Sequence, residues 1–310
     1  MSHHPVLANE AIQYLACAPG QTVVDGTVGS GGHAKRIAEV ICAGHDGMLI
    51  GVDRDPQQLL AAAETLAAWK SCVMLVHNSY DHVAEILGAA GKTHVDGVLL
   101  DLGVAIQHLE DPRRGMSFRY ASAPLDLRFD PSAAIPTAAD LLRDKSAQEI
   151  ERWLREYGEV PSAKQLARTI VQYRGVSPLT TVGELEFLVV PLVRAHRRHN
   201  PMTLVLQALR IAVNDELAII QRAIKVWVDV LNPNGRIVII SYHSLEDRIV
   251  KQTLRMLAKS CVCPPEAPIC ICGTSATVKL LTARSITPST EELRQYPTSR
   301  SARLRAAEHV

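Results

Sequence analysis

No stretch of this 310-residue chain approaches the roughly 20 consecutive apolar residues that a membrane-crossing helix needs. Neither sign of charge dominates, since 33 Lys and Arg stand against 32 Asp and Glu. Bulk electrostatic attraction to nucleic acid is thereby excluded, and only a local basic surface is left for such a partner. Met1-Ser-His-His-Pro5 places no basic residue ahead of an apolar core, so no secretory leader is expected. No internal repeat is present. The seven cysteines are odd in number, and Cys17, Cys42 and Cys72 are scattered among apolar neighbours. That pattern argues against a secreted disulfide framework and predicts reduced thiols in a cytoplasmic protein. The dinucleotide pattern G-x-G-x-x-G is also missing.

What is present is an alternation. Gln21–Asp25, Met48–Asp53, Ser71–Val76 and Val95–Leu102 read as strands. His33–Ala43, a segment opened by Asp55-Pro56, and Asp81–Ala90 read as the helices between them. Nearly continuous apolar runs such as Val95–Leu102 belong to strands buried on both faces, and the alternation predicts a doubly wound parallel sheet. From about Glu110 to Arg198 no strand period is visible, and helices broken at Pro131, Pro136, Pro161 and Gly175–Pro178 are expected. Arg236–Tyr242 returns as strand. Ser244-Leu-Glu-Asp247 then predicts a helix capped by Ser244, running to about Ser260, and Val278–Ala283 an edge strand. The predicted fold is α/β, a Rossmann-like core of residues 1–110 and 206–310 with a helical insert at 111–205.

The chemistry is concentrated after the first strand, in Asp25-Gly-Thr-Val-Gly-Ser-Gly-Gly-His33. Glycines there let backbone approach a ligand, and Asp53, closing the second strand, is placed to accept from ribose hydroxyls. Asp25 repels a pyrophosphate but attracts a sulfonium cation, which favours S-adenosylmethionine (SAM) as cofactor. A nicotinamide or other nucleotide, or a purely structural turn, remain the alternatives at this point. Asp101 ends the fourth strand, where ligands of open α/β sheets lie.

Many short segments, in order along nearly the whole chain, are similar to the bacterial 16S ribosomal RNA cytosine-N4 methyltransferase family. They are His4-Pro-Val-Leu7, Asp25-Gly-Thr27 with Gly31-Gly-His33, Asp101-Leu-Gly-Val104 and Arg114-Gly-Met-Ser-Phe118. Pro124-Leu-Asp-Leu-Arg128, Gln207-Ala-Leu-Arg-Ile211 with Asn214 and Glu216, His243-Ser-Leu-Glu-Asp-Arg248 and Ser299-Arg-Ser-Ala-Arg-Leu-Arg305 complete the set. The resemblance implies a SAM-dependent methyltransferase core acting on the exocyclic amine of a cytosine in small-subunit ribosomal RNA, within the subunit or its precursor. It implies cofactor contacts at Gly31, Gly32, His33, Asp53, Tyr80, Asp101 and His108. Asp101 also suits a positioning role toward the amine, as an acceptor of its hydrogens. Family members usually read D-L-G-V-S-S-P-Q where this chain reads Asp101-Leu-Gly-Val-Ala-Ile-Gln-His108. A relative with weakened turnover is therefore the alternative reading, and a nicotinamide-dependent oxidoreductase a more distant one.

Arg114, Arg128, Arg197, Arg198, Arg300 and Arg303 are the expected RNA-facing cations, with the cluster at 194–198 and the C-terminal arginines foremost. Cys261-Val-Cys263 and Cys270-Ile-Cys272 place four thiols in one loop, but zinc sites more often use C-x₂-C spacing. A reduced loop or a redox-labile pair is expected there, and no metal is assigned.

Overall fold

The computed structural model describes residues 5–44, 47–193, 200–261, 263 and 271–310. The chain divides into two compact units, Met1–Gly103 with Leu217–Val310, and Val104–Glu216. The helix Pro201–Asn214 lies wholly in the second unit, whereas the sequence-based boundary at 205/206 cuts through it.

The first unit is built on a seven-stranded sheet of order β3-β2-β1-β4-β5-β7-β6. The strands are β1 Thr22–Asp25, β2 Met48–Asp53, β3 Val73–His77, β4 Val95–Asp101, β5 Leu231–Ser241, β6 Val278–Leu280 and β7 Arg303–His309. The first five pair in parallel, while β7 runs antiparallel between β5 and β6. Alternate residues of each central strand enter different apolar clusters. Val24, Ile50, Leu100 and Ile239 join one, and Val23, Leu49, Leu99 and Val238 the other. A period of two with both faces apolar is what a sheet covered by helices on both sides requires. Helices Ala8–Leu15 and Gly32–Ile41 supply Ala11, Leu15, Ile37 and Ile41 to one layer, and Glu216–Asp229 and Ser244–Leu257 supply Ile220, Trp227, Val250 and Leu254 to the other.

The second unit has its own core, in which Leu142, Ile150, Leu154, Leu166, Leu185 and Leu209 are at most fractionally exposed. Helices Ala138–Asp144, Ala147–Glu156 and Val182–Val189 each start at a reciprocal capping box, Thr137/Asp140, Ser146/Glu149 and Thr181/Glu184. Each such cap contributes about 1 kcal/mol by satisfying orphan N–H groups.

Four sequence expectations are corrected. The segment from Gly115 to Pro136, expected to be helical, contains no helix, and is held by hydrogen bonds such as Leu127 N–H to the Arg114 carbonyl (3.0 Å). His243, not Ser244, caps the helix Ser244–Leu257, with Glu246 as its reciprocal partner. The C-terminal Arg303–His309, for which the sequence predicts no strand, is a sheet strand. Finally, Cys42 and Cys72, 30 residues apart, form a disulfide with Cα atoms at 5.9 Å. Spacing along the chain does not show that pairing, because the helix Gly32–Ile41 and the approach to β3 bring the two together only in the folded sheet. Among the described residues no helix is long and apolar enough to cross a membrane.

Candidate active site at the strand ends

Parallel strands β2, β1 and β4 end side by side, Asp25 standing in register with Gly51 and Leu99. Their terminal acids, Asp53, Asp25 and Asp101, therefore share one edge of the sheet. The loop after β1 is fixed across this edge by backbone bonds: Gly26 N–H to the Leu99 carbonyl (2.9 Å) and Val28 N–H to the Val52 carbonyl (2.8 Å). Gly31 has φ 90°, a left-handed conformation that disfavours side chains, and it forms the N-cap of the helix Gly32–Ile41. A Cβ at Gly32 would lie 3.3 Å from the Pro5 ring. The N-terminal segment thus packs directly on the glycine turn.

Asp53 serves this loop with both oxygens. Oδ2 accepts from Gly29 N–H (2.8 Å) and Oδ1 from Asp55 N–H (2.9 Å). Asp55 in turn caps the helix Pro56–Thr65 through Gln57 N–H. The Thr27 hydroxyl accepts from Asp101 N–H (2.6 Å), tying the glycine turn to the end of β4. His33, buried, lies between two partners. Its Nε2 is 2.9 Å from the Val6 carbonyl oxygen, and its Nδ1 is 3.5 Å from Asp101 Oδ2. The other carboxylate oxygen, Asp101 Oδ1, accepts from the Tyr242 hydroxyl (2.9 Å) at the end of β5.

Burial pushes the Asp25 carboxyl up to about 7, against the hydrogen bond it accepts from Thr27 N–H and with a smaller push from Asp53. Burial likewise pushes Asp101 up to about 8; the Tyr242 hydrogen bond opposes this, and the charges of Asp25 and Glu246 add to it. Acids crowded in a poorly solvated place resist ionising together. A bound cation relieves that crowding and an anion worsens it, so the edge selects for positive charge.

Six of the seven expected cofactor residues, Gly31, Gly32, His33, Asp53, Tyr80 and Asp101, lie in the first unit. Tyr80 is buried in its core; its carbonyl accepts from Trp227 Nε1 (2.7 Å), and its Cβ is 3.1 Å from where a Gly26 side chain would begin. His108 belongs to the second unit, where it is buried with its ring centroid 5.5 Å from that of Phe129. Sequence reasoning missed Tyr242 and Thr27. Tyr242 follows a Val-Ile-Ile strand and offers no signal until β5 is known to lie beside β4.

The arginines separate sharply. Arg114 is 3% exposed and donates to the Phe129 carbonyl (2.8 Å), so it braces the fold and is withdrawn as an RNA contact. Arg128 is mostly covered and grips Asp126 through Nε (2.8 Å) and Nη2 (2.7 Å), which likewise commits it internally. Arg300 and Arg303 are exposed. Arg197 and Arg198 lie outside the described residues. Two further motif residues turn out to be braces. Asn214 donates to the Leu127 carbonyl (2.8 Å) and accepts from Phe129 N–H (2.9 Å), and Arg210 forms a paired contact with Glu216 (2.8 and 2.9 Å).

A parallel sheet with one antiparallel strand inserted near its edge, a glycine turn after β1 and acids at three strand ends define a Rossmann-like α/β methyltransferase. Residues 1–310 match the model of the MraW methylase family, and the chain belongs to that family. It is 46% identical over 311 residues to the ribosomal RNA small subunit methyltransferase H of Trichlorobacter lovleyi, covering 99% of this chain and 98% of that one. Proteins of the same name from Pelobacter propionicus and Desulfosudis oleivorans are 44% and 41% identical, each over 99% of this chain and 98% and 99% of their own.

Proposed function

We propose that this protein methylates the exocyclic N4 amine of a cytosine in 16S ribosomal RNA, with SAM as donor, acting in the cytoplasm on the small subunit or its precursor. The observation that carries this reading is the end-to-end match to a methylase family whose curated relatives are named for small-subunit ribosomal RNA. The strand-end acids support it chemically, because Asp25 and Asp101 are raised in a way that a cationic cofactor would reverse. Gly31, Gly32, His33, Asp53, Tyr80 and Asp101 would hold the cofactor. When bound, SAM supplies an electrophilic methyl group.

The remaining work falls to the chain itself. A cytosine amine is a weak nucleophile because its lone pair is conjugated with the ring. Asp101, its Oδ1 engaged by Tyr242 and its Oδ2 3.5 Å from His33 Nδ1, retains lone pairs that can orient an amine hydrogen. Positioning of this kind lowers a bimolecular barrier by roughly 7–11 kcal/mol at best. Asp101 need not act as a strong base, since the amine proton becomes acidic only after methyl transfer. The target base must leave its stack to reach any such site, at a cost of a few kcal/mol. The second unit, with its separate core, serves as the substrate-recognition part. Mass spectrometry of 16S ribosomal RNA from cells with and without the gene tests the assignment. Loss of one N4-methylated cytidine on deletion supports it, and an unchanged modification map refutes it.

A further inference from the structure

Between the helix ending at Leu257 and β6 beginning at Val278 runs a long loop without regular structure among its described residues. Its stem is closed by the Thr277 N–H bond to the Leu257 carbonyl (2.9 Å). Among the described residues beyond the stem no apolar side chain is buried, and Ile271 is 88% exposed. Loops longer than about 12–15 residues with no structure of their own are uncommon and usually have a function or serve as linkers. The structure brings together thiols for which the C-x-C spacing predicts a reduced loop or a redox-labile pair. The Sγ atoms of Cys261, Cys263 and Cys272 all lie within 4.8 Å of one another. The Cys272 to Cys261 separation is 3.8 Å. A tetrahedral zinc–thiolate site with bonds of about 2.3 Å has sulfur–sulfur edges of about 3.8 Å.

We propose that Cys261, Cys263 and Cys272 bind a zinc ion that staples this loop beside the edge strand β6. Three thiolates favour a soft or borderline cation, and a tetrahedral sulfur-rich set suits zinc above the harder divalent ions. Binding is ionic and redox-neutral. Three thiols release three protons to solvent, three sulfur–zinc bonds form, and no electron is transferred. The fourth position falls to water. The staple would anchor a loop whose described residues bury no apolar side chain, as metals do in segments too small for a core. The proposal is independent of the methyl-transfer reading, because none of the three cysteines belongs to the strand-end site.

The test uses the untagged full chain purified under reducing conditions. Elemental analysis should find about one zinc per chain, and Cys261→Ser or Cys272→Ser should bring the content to near zero. Cys17→Ser, which replaces a cysteine outside the loop, should leave it unchanged. Should the loop variants fold poorly, wild-type protein stripped of metal and titrated with Co²⁺ decides the matter. A thiolate-to-cobalt charge-transfer band, with about three protons released per ion, supports the site. A reduced wild-type chain that neither retains zinc nor develops that band overturns it. So does full zinc content in both loop variants, or a Cys261–Cys272 disulfide in reduced, zinc-supplied protein.

Discussion

The Tyr242 hydroxyl donates to Asp101 Oδ1 at 2.9 Å, linking the end of β5 to the end of β4. Burial and the neighbouring Asp101 charge push the Tyr242 phenol well above its ordinary value, so it stays a donor at any physiological pH. Its hydrogen bond favours the ionised form of Asp101, against the upward push of burial. Tyr242→Phe should remove that support, raise the Asp101 pKa further, and cut kcat/KM about 10-fold near pH 7, the scale of a hydrogen bond to a charged group. The acid limb of the pH–rate profile should move to higher pH. Superimposable profiles for the wild type and the variant would show that the contact is structural only.

Asp53 presents a different balance. Both its oxygens already accept backbone N–H groups, from Gly29 and Asp55. A carboxylate oxygen has room for a second donor, so ribose binding and loop bracing are compatible. Asp53→Ala should weaken SAM binding by about 1–3 kcal/mol. Calorimetry reads the effect directly. An unchanged dissociation constant would assign this acid to the loop alone.

The raised carboxyls fix a pH dependence. Asp25 and Asp101 bind protons more tightly when folded, at about 7 and about 8, than when unfolded. Their contribution to stability is present in full below the unfolded carboxyl range and is lost as pH rises through 7 and 8. A cationic ligand stabilises their ionised forms, so its binding should release protons and strengthen as pH rises through the same window. Melting temperatures at pH 5.5 and 8.5 should show a larger stabilisation by SAM at the higher pH. Asp25→Asn should narrow the difference between the two conditions, and an unaltered difference would remove Asp25 from the account.

These features differ in how far the sequence reveals them. β1, β2 and β4 are largely apolar runs ending in an acid, and both the parallel core and the positions of Asp53 and Asp101 follow from that pattern. β7 is hidden because Arg303, Arg305, Glu308 and His309 mask the apolar Leu304, Ala306 and Ala307. Arg305 looks like a free cation until Asp247 is found opposite it at 2.7 Å. The cap of the helix Ser244–Leu257 has two frames, His243 with Glu246 or Ser244 with Asp247, and local sequence does not choose between them. The choice comes from β5, whose end carries Tyr242 N–H to Glu246 Oε2 at 2.8 Å. Tertiary neighbours, not local propensity, decide each of these cases.

The loop that follows Arg114 depends on a few groups that a substitution can isolate. Gly115 has φ 66°, and a side chain there would collide with the Pro124 carbonyl oxygen. Asn214 satisfies both Phe129 N–H and the Leu127 carbonyl. Asn214→Ala leaves both without that partner, at about 1–3 kcal/mol for each buried group left unmet. Thermal unfolding should register a lowered transition, whereas Asn214→Asp should restore only the Phe129 bond. A variant melting like the wild type would mean that water replaces the amide.

The arginines allow structural and RNA-binding roles to be told apart. Arg300 and Arg303 are exposed, the latter within 3.5 Å of the Ser285 hydroxyl, and each has room to meet a phosphate. Phosphate contacts act independently of sequence and release counterions. Arg300→Ala and Arg303→Ala should each weaken RNA binding and reduce the slope of log affinity against log salt by about 0.7–0.9. Neither should lower the melting temperature appreciably. Arg114→Ala should do the opposite, because a guanidinium 3% exposed and bound to the Phe129 carbonyl is part of the fold. Its loss should lower thermal stability and leave the salt slope unchanged in whatever fraction remains folded. A salt titration by filter binding, run beside a melt on each protein, separates the two. Unaltered slopes for both Arg300→Ala and Arg303→Ala would remove the C-terminal segment from the RNA surface.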